Sequence, residues 1–341
     1  MIGLFLALVG FVLVVYVAYP IAAFLVAMLS PRREPGGPIE PSVALVVPAH
    51  DEEEMIEEKI RNFFALEYPP DRLQLVVISD GSMDRTCERA RALLESLPPE
   101  HRSRARLVDR PQRSGKSIAL SEEVPKLDVE ILVLTDANAL YRPDAIRAIV
   151  APFADREVGL VCGRLRYVED GASFMSDEEL YWRYEDALKR WEGAAGRLVV
   201  SNGSIYAVRS ELFEPIPGAV ADDFVIPLLV AARGRRLVYE PAAIAEERLP
   251  VQGIENFRAK ARIVTRGATA LSLYWREVFR AGPVRVLQYL LHKVARWLMG
   301  LVLAGLFVVS ALGATHPILA AALTAQIAFG LLGFAAYLLA R

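Results

Sequence analysis

The chain has 341 residues, of which 54% are hydrophobic, and its formal net charge at pH 7 is −2. Soluble domains are typically about 45–50% apolar, so the excess indicates membrane segments. The balanced charge excludes a strongly basic protein, and we expect no nucleic acid partner. The two cysteines, Cys87 and Cys162, are too few for a disulfide framework and are typical of a reducing compartment.

The apolar excess lies at the two ends of the chain. Residues 2–29 carry no charged side chain, and a helix of that length would span about 42 Å, more than the ~30 Å hydrocarbon core of a bilayer. A cleaved signal peptide is the alternative, but no Lys or Arg precedes the run. We therefore predict a membrane helix over residues 1–31, with a kink or an end at Pro20.

Two further membrane helices are predicted at residues 298–312 and 318–340, joined by the uncharged segment 313–317. Basic residues flank all three helices on the side of the middle region: Arg32, Arg33, Lys293, Arg296 and Arg341. The positive-inside rule places these flanks in the cytoplasm, and we expect a multi-pass protein of the cell membrane (inner or plasma membrane). Its N-terminus would lie outside and its middle region in the cytoplasm.

The middle region alternates strands with helices. Strands are predicted near 43–48, 73–79, 104–109 and 130–135, and helices near 52–66, 84–96, 116–124 and 143–153. This alternation indicates an α/β fold with a parallel sheet. Beyond residue 155, strand-like runs at 157–168 and 198–208 flank a helix near 174–192, so the sheet becomes mixed. The expected segments are a membrane helix (1–31), a linker (32–41), the α/β domain (42–255), amphipathic or interfacial helices (256–297) and two membrane helices (298–341).

Three of the predicted strands end at acidic residues, namely Asp51-Glu52, Asp80 and Asp136. Open α/β sheets bind ligands beyond the carboxyl ends of their strands, so these side chains should share one crevice. Clustered carboxylates repel each other unless a cation lies among them. The simplest cation is a divalent metal that carries a phosphorylated ligand. Asp136 and Asn138 suit such a metal, because residues i and i+2 of an extended strand end share a face; a polar turn is the alternative.

Two loops that begin helices carry further candidates. In Asp80-Gly81-Ser82-Met83-Asp84, Asp80 could accept hydrogen bonds from a nucleoside, or the motif could simply cap a helix. Gly115-Lys116-Ser117 looks like part of a P-loop, but Arg110 stands where the first glycine belongs, so we reject a P-loop NTPase. Lys116 at a loop-to-helix junction still suits a phosphate, with a solvated surface lysine as the alternative.

Two later clusters are also open to two interpretations. Asp222-Asp223 could be an acidic helix start favoured by the helix dipole, or one of them could be a general base. A basic cluster is interleaved with apolar residues and indicates a membrane-surface helix, although Arg262 could instead bind a diphosphate. The cluster comprises Arg258, Lys260, Arg262 and Arg266.

Taken in order, these motifs resemble the family 2 glycosyltransferases with a GT-A fold. The flanking apolar helices resemble the membrane-integrated branch related to cellulose and hyaluronan synthases. The resemblance covers about residues 40–300 and implies a Rossmann-like mixed sheet flanked by helices, with about three transmembrane helices. It rests on Pro48-Ala49-His50-Asp51-Glu52, Asp80-Gly81-Ser82-Met83-Asp84, Gly115-Lys116-Ser117, Asp136-Ala137-Asn138, Asn202-Gly203-Ser204 and Asp222-Asp223.

The resemblance implies roles for residues at matching positions. The uridine part of a UDP-sugar would be held by Pro48, Ala49, Glu52 and Asp80, with Lys116 near the nucleotide. Asp136 and Asn138 match the DxD motif, which binds Mg²⁺ or Mn²⁺ and the diphosphate. Gly203-Ser204 would form the acceptor-side turn. Asp223, preceded by Asp222, matches the catalytic base, and direct displacement at the anomeric carbon would invert its configuration.

The sequence departs from the family pattern at several positions. Asp51 stands where Asn is common, Asn138 replaces the second Asp of DxD, and Asp222 replaces a Glu. Processive synthases carry Gln-x-x-Arg-Trp, whereas Arg262 is followed here by Ile263. This difference, with only three spans, argues against polysaccharide secretion by this chain alone and leaves room for membrane partner subunits. In the aromatic helix near 174–192, Trp182 is our preferred acceptor contact, with core packing as the alternative.

We therefore expect an inverting glycosyltransferase that uses a UDP-sugar at the cytoplasmic face and a membrane-associated glycan or lipid as acceptor. One alternative is a polyprenyl-phosphate glycosyltransferase, whose acceptor is a phosphate and needs no base. The other is a non-catalytic membrane protein that binds nucleotide sugars.

Overall fold

The computed structural model describes residues 1–31, 38–168, 177–248 and 254–339, without the side chains of 177–180, 254–256 and 337–339. The predictions for Arg32, Arg33, Arg341 and most of the linker lie outside the described residues. The chain divides into two compact units, one of residues 1–23 with 287–341 and the other of residues 24–286.

Strands and helices are numbered in chain order. The strands are β1 Val43–Ala49, β2 Leu73–Asp80, β3 Ala105–Arg110, β4 Ile131–Leu134, β5 Leu140–Tyr141, β6 Val158–Val168, β7 Tyr206–Arg209 and β8 Arg236–Arg248. The α-helices are α1 Ile2–Leu13, α2 Tyr19–Leu29, α3 Ile56–Phe64, α4 Thr86–Ser96, α5 Pro99–Arg102, α6 Lys116–Glu123, α7 Ala145–Val150, α8 Asp177–Ala194, α9 Asp222–Ala232, α10 Ile254–Leu273, α11 Trp275–Arg280, α12 Pro283–Tyr289, α13 Ala295–Trp297, α14 Met299–Leu312 and α15 Pro317–Leu339.

The larger unit is built on one mixed sheet with the strand order β3-β2-β1-β4-β7-β6-β8-β5. Strands β3, β2, β1 and β4 are parallel, and β7 pairs antiparallel with both β4 and β6. One face of the parallel strands packs against apolar side chains of α3, α4 and α7, including Ile60, Leu94 and Ile149. Each aliphatic side chain buried in this way contributes about 1.5–3 kcal/mol to folding. The parallel half therefore fixes which loops meet at the carboxyl edge of the sheet.

The first four strands and the change to a mixed sheet confirm the sequence predictions, whereas the later strands correct them. The predicted strand at 198–208 is wrong over its first part, because only Tyr206–Arg209 forms a strand. Leu198 and Val199 are buried, so their apolar character reflects packing without a regular ladder. The longest strand, β8, was not predicted, because charged residues such as Arg236 and Glu246 interrupt its apolar pattern.

The smaller unit consists of apolar helices. Ile2–Leu29 and Pro317–Ala336 are each long and apolar enough to cross a membrane. Pro283–Trp297 and Met299–Leu312 pass the same test only together and are bent by 59°, so the described residues contain two candidate spans, or three if this pair is one span. The first helix does not end at Pro20: a π-helical stretch, Val14–Ala18, precedes this proline and the helix continues to Leu29.

The helices of the smaller unit bury few side chains. Val15, Ala295 and Met299 form a small cluster. Large apolar side chains stay exposed along the helices; Leu301 is 73% exposed and Phe329 80% exposed. An apolar surface of this extent is typical of association with a membrane.

Candidate active site

The carboxyl ends of β1, β2 and β4 lie side by side, as the acidic strand ends predict. The loops after β1 and β2 are joined by hydrogen bonds. Asp51, whose φ is +55°, accepts a hydrogen bond from the Met83 backbone N–H at 2.8 Å. The Glu53 backbone N–H donates to Asp84 at 3.0 Å, and the Glu52 N–H donates to the Thr86 hydroxyl at 2.7 Å. The acidic motif after β1 is therefore held rigidly against the start of α4.

Asp80 anchors the loop that leads to Lys116. Its buried carboxylate accepts hydrogen bonds from the backbone N–H groups of Ser114, at 3.1 Å, and Gly115, at 2.6 Å. The Arg110 guanidinium pairs with it at 3.2 Å. Both carboxylate oxygens are thus engaged inside the protein, and the nucleoside contact of Asp80 stays a prediction.

Lys116 is the first residue of α6, and it supplies one positive charge within the acidic cluster. Its ammonium lies 2.8 Å from Asp136 Oδ1 and 3.4 Å from Asp222 Oδ2. Burial alone would lower the pKa of Lys116, but Asp136 and Asp222 outweigh it and raise this pKa above its usual value. The side chain therefore stays protonated between the two carboxylates. The alternative of a free surface lysine is wrong.

Gly203 is the point around which the predicted donor and acceptor residues converge. A Cβ atom placed on Gly203 would lie 3.3 Å from Asp136 Oδ2, 3.6 Å from Lys116 Nζ and 3.7 Å from Asp223 Oδ2. A side chain here would fill the space between these charged groups. The absence of one leaves room for a ligand atom beside all three.

Asp222 and Asp223 begin α9 but have different environments. Asp222 is buried, and the Tyr206 hydroxyl donates to its Oδ2 at 2.7 Å. Asp223 is only partly buried, and its carboxylate is the one near Gly203. Its backbone carbonyl accepts hydrogen bonds from the Ser201 N–H at 3.0 Å and hydroxyl at 2.9 Å. The acidic helix start is confirmed, and it also carries one carboxylate into the site.

The residues at the end of β1 line the same edge. Pro48 is partly buried and Ala49 is buried. Burial raises the pKa of the Glu52 carboxyl above its usual value, and the charges of Asp136 and Asp84 raise it further. The carboxylates after the three strands therefore lie close enough to repel each other, and a cation bound among them would relieve that repulsion.

Asp136 and Asn138 fit a divalent metal as a partial ligand set. They lie in a turn after β4, not on an extended strand end, and buried Ala137 separates the partly exposed Asp136 from the exposed Asn138. Among the described residues no group of three or more His, Cys, Asp or Glu side chains could hold a metal. Mg²⁺ usually binds one or two carboxylates together with substrate phosphates and water. Asp136 with Asn138 thus suits a metal that arrives with a diphosphate.

Two predicted residues lie apart from this cluster. Arg262 is exposed on α10 and has no hydrogen bond or ion pair within the described part of the chain. Trp182 on α8 contacts the Tyr167 ring, at 5.2 Å between centroids. It also lines a small cavity with Asn202, the neighbour of Gly203. The contact with Tyr167 supports the core-packing interpretation of Trp182, and the cavity shared with Asn202 supports the acceptor-contact interpretation.

Two buried ionisable residues near the site were missed by the sequence analysis. Lys59 on α3 is completely buried, and burial lowers its pKa to about 7 against the opposing charges of Asp136 and Glu247. Burial raises the pKa of Glu247 on β8 to about 7, although the Ser204 hydroxyl opposes the shift. The only signal for Lys59 was its place in the apolar stripe of Ile56, Ile60 and Phe63, where a lysine is unexpected.

Comparison with known proteins identifies the family of this chain. The sequence profile of the family described as "Glycosyltransferase like family 2" matches residues 41–283. A probable glycosyltransferase of Bacillus subtilis, YdaM, is 25% identical over 222 residues, covering 62% of this chain and 51% of that protein. A beta-monoglucosyldiacylglycerol synthase of Synechocystis is 30% identical over 136 residues, covering 39% of this chain and 27% of that protein. The chain therefore spans about half or less of the length of these relatives.

A similar solved structure is the mannosyltransferase PcManGT from Pyrobaculum calidifontis, in complex with GDP-Man and Mn²⁺. The TM-score is 0.71 and the identity 23%, covering 95% of this chain and 96% of that one. At this identity the likeness establishes the GT-A fold, including its mixed sheet and flanking helices.

Proposed function

Since this chain belongs to glycosyltransferase family 2 and is a transferase of sugar groups, we propose that it moves a sugar from a nucleoside-diphosphate sugar to a membrane-associated acceptor. The acceptor group would be a hydroxyl of a glycan or a lipid, and the transfer would invert the anomeric carbon. Membership of a transferase family argues against a non-catalytic nucleotide-sugar-binding protein.

The observation that carries the proposal is the open position beside Gly203. Asp136, Lys116 and Asp223 approach it from three separate elements, at 3.3, 3.6 and 3.7 Å. Asp136 and Lys116 suit a metal-bound diphosphate, whereas Asp223 offers a proton acceptor.

For the donor, the motifs after β1 and β2 favour a UDP-sugar by resemblance, and we propose that Pro48, Ala49, Glu52 and Asp80 lie against its nucleoside. The mannosyltransferase of similar fold is in complex with GDP-Man, so a GDP-sugar is the second candidate. For the acceptor, one relative is named for glucosyldiacylglycerol synthesis, which supports a lipid. Ser204 and Trp182 would then lie on the acceptor side.

In the proposed reaction Asp223 accepts the proton of the acceptor hydroxyl as its oxygen bonds to the anomeric carbon. The bond from that carbon to the diphosphate oxygen breaks, and the nucleoside diphosphate leaves with the electron pair. Lys116 offsets charge that develops on the diphosphate. A bound Mg²⁺ or Mn²⁺ at Asp136 and Asn138 would supply further neutralisation of that charge. Asp222 holds Lys116 in place and is not itself the base.

We propose that the apolar helices anchor the enzyme in the plasma membrane, with the N-terminus outside and residues 42–255 as a cytoplasmic catalytic domain. Residues 256–297 would form interfacial helices. Arg262 lies on the exposed surface of α10 and is better suited to anionic lipid headgroups than to the diphosphate. Partner subunits in the membrane are compatible with this arrangement.

The donor is identified by measuring nucleotide release from a panel of UDP- and GDP-sugars by the purified full-length protein. We expect release from one nucleotide class, dependent on Mn²⁺ or Mg²⁺ and abolished by a chelator. Release from no sugar, with and without membrane lipid extract as acceptor, would contradict the proposal.

The role of Asp223 separates a hydroxyl acceptor from a polyprenyl phosphate, which needs no base. With a hydroxyl acceptor, Asp223→Asn should lower kcat by about 10²–10⁴-fold, because the general base is lost, with little change in donor KM. The control is Asp128→Asn on an exposed loop, which should leave kcat unchanged. Near-normal turnover by the Asp223 variant would favour the phosphate acceptor.

A further inference from the structure

Lys59 is a buried lysine whose burial folding alone does not explain. It lies on the core-facing side of α3 and is completely inaccessible to solvent. Among the described residues it has no ion pair. Burying an ammonium group without a counter-ion costs several kcal/mol, and an apolar side chain of similar length would avoid that cost. The lysine should therefore do something that a methionine cannot.

The hydrogen bonds of Lys59 close the turn that carries Asp136 and Asn138. Its ammonium donates to the Thr135 hydroxyl at 3.0 Å, just before the turn, and to the Ala139 carbonyl, just after it. The Tyr141 ring covers the ammonium at 4.4 Å. One side chain thus holds both ends of the segment 135–139.

The same helix holds the next part of the chain. The Asn62 side-chain amide donates to the Tyr141 carbonyl at 2.8 Å, and its oxygen accepts from the Tyr141 N–H at 2.8 Å. Helix α3 therefore fixes the path of the chain from Thr135 to Tyr141 through two polar side chains, although it lies outside the open position beside Gly203.

A second set of bonds joins this segment to the Gly203-Ser204 turn. The Ser204 carbonyl accepts hydrogen bonds from the Thr135 hydroxyl at 2.8 Å and the Tyr141 hydroxyl at 3.1 Å. Thr135 is the link, because its single oxygen accepts from Lys59 and donates to Ser204.

We propose that Lys59 is a positioning residue that locks the 135–139 turn against the Gly203-Ser204 turn and so sets the geometry of the metal-binding side chains. The bound metal in this inference rests on the proposed function. The hydrogen bonds that hold the turn are observed contacts. Lys59 would touch neither donor nor acceptor. Its effect would be transmitted through Thr135 and the backbone of Ala139.

Lys59→Met tests this directly, because methionine keeps the length and apolar stem but donates no hydrogen bonds. Thr135→Val is the second variant, since it removes the link and keeps the shape. The matched control is Lys126→Met, which removes an exposed lysine paired with Glu123. Each full-length protein is compared by its melting temperature, by hydrogen–deuterium exchange, and by Mn²⁺ titration with UDP or GDP, using the electron paramagnetic resonance signal of free Mn²⁺.

We expect residues 135–141 to exchange at least about tenfold faster in both site variants, while residues 43–49 of β1 exchange as in the wild type and the melting temperature does not fall. The Mn²⁺ affinity with the nucleotide that binds should fall by about 10–100-fold, the range for losing an outer support of a metal ligand. The Lys126 variant should match the wild type in all three measurements.

Unchanged exchange in residues 135–141 would overturn the inference, as would faster local exchange without loss of Mn²⁺ affinity. Faster exchange throughout the sheet with a lower melting temperature would show a general structural role and would also overturn it. A wild type that binds no Mn²⁺ with either nucleotide would contradict the proposed function instead. The exchange comparison would still decide whether Lys59 holds the turn.

Discussion

At the scale of single residues, neighbouring side chains of one type have different tasks because their surroundings differ. Asp222 receives a hydrogen bond from Tyr206 and pairs with Lys116 inside the protein. Asp223 leaves its carboxylate beside the open position at Gly203. Asp222 is buried whereas Asp223 is partly exposed, and for this reason we propose Asp223, and not Asp222, as the base.

Glu247 gives a pH-dependent prediction for stability. Its pKa is raised from 4.5 to about 7 in the folded protein, so between these values the folded state holds a proton that the unfolded state has released. The free energy of unfolding contributed by Glu247 therefore falls as the pH rises through this window. Glu247→Gln is always neutral and should lack this loss, gaining on the order of 1–3 kcal/mol over the wild type above the window.

The measurement is the difference in unfolding free energy between the Glu247 variant and the wild type at about pH 5 and about pH 8. Titrating groups that do not interact with Glu247 are common to both proteins and cancel in the difference, whereas Lys59 does not cancel, because the charge of Glu247 raises its pKa. Lys59 acts in a separate window, because its lowered pKa makes stability rise between about 7 and 10.5. A difference that does not change with pH would refute the buried, protonated state of Glu247.

The sequence predicted the position of a residue at the sheet edge where a local pattern, such as the end of an apolar strand or the start of a helix, marked it. Asp80, Lys116 and Asp136 stand after apolar strands or before a helix, and they lie at the expected edge of the sheet. Lys59 and Glu247 could not be found in this way. Their burial depends on contacts with residues more than seventy positions away, such as Thr135, and no local pattern records such a contact.

At the scale of elements, the site depends on how closely the loops after the strands pack together. Gly81 shows this best, since it has φ +63° and a Cβ atom here would lie 2.3 Å from the Arg113 backbone nitrogen. The loop after β2 therefore touches the loop that leads to Lys116. Only a residue without a side chain permits this approach.

We predict that Gly81→Ala destabilises the protein more than Gly115→Ala. Gly115 also has a positive φ, of +94°, but nothing lies within 4 Å of a Cβ placed there. Its ψ of 151° places it in a region essentially restricted to glycine, so Gly115→Ala should cost the backbone strain alone, about 1–3 kcal/mol. Gly81→Ala adds a clash with backbone atoms, about 1–3 kcal/mol more. Chemical unfolding of the two variants measures the difference, and equal losses would show that the loops separate easily.

Elements were predictable from sequence where burial was uniform. The parallel strands β1, β2 and β4 are buried on both faces and read as continuous apolar runs. Strand β8 alternates buried and partly exposed positions and contains Pro241, so its pattern resembles a loop. Leu198 and Val199 have the opposite character, because they are apolar and buried but belong to no strand. Tertiary packing decided both cases.

At the scale of the whole molecule, the chain combines an α/β unit with a unit of apolar helices. The fold likeness to a solved mannosyltransferase extends over 95% of the chain. An enzyme with a membrane-associated acceptor gains from this combination, because anchoring confines it to the surface where its acceptor is concentrated. The side of the membrane on which residues 42–255 lie then decides which donor pool is available.

The proposed topology is tested by labelling single cysteines in intact cells with a maleimide that does not cross membranes. Thr315→Cys places a thiol in the exposed turn between α14 and α15 and should be labelled from outside. Asp128→Cys, on an exposed loop of the α/β unit, should be labelled only after permeabilisation. The native thiols should contribute little background, because burial raises the pKa of Cys87 to about 11 and also raises that of buried Cys162, leaving few thiolates near neutral pH. Labelling of Asp128→Cys in intact cells, or of Thr315→Cys only after permeabilisation, would reverse the topology and place the donor site outside the cytoplasm.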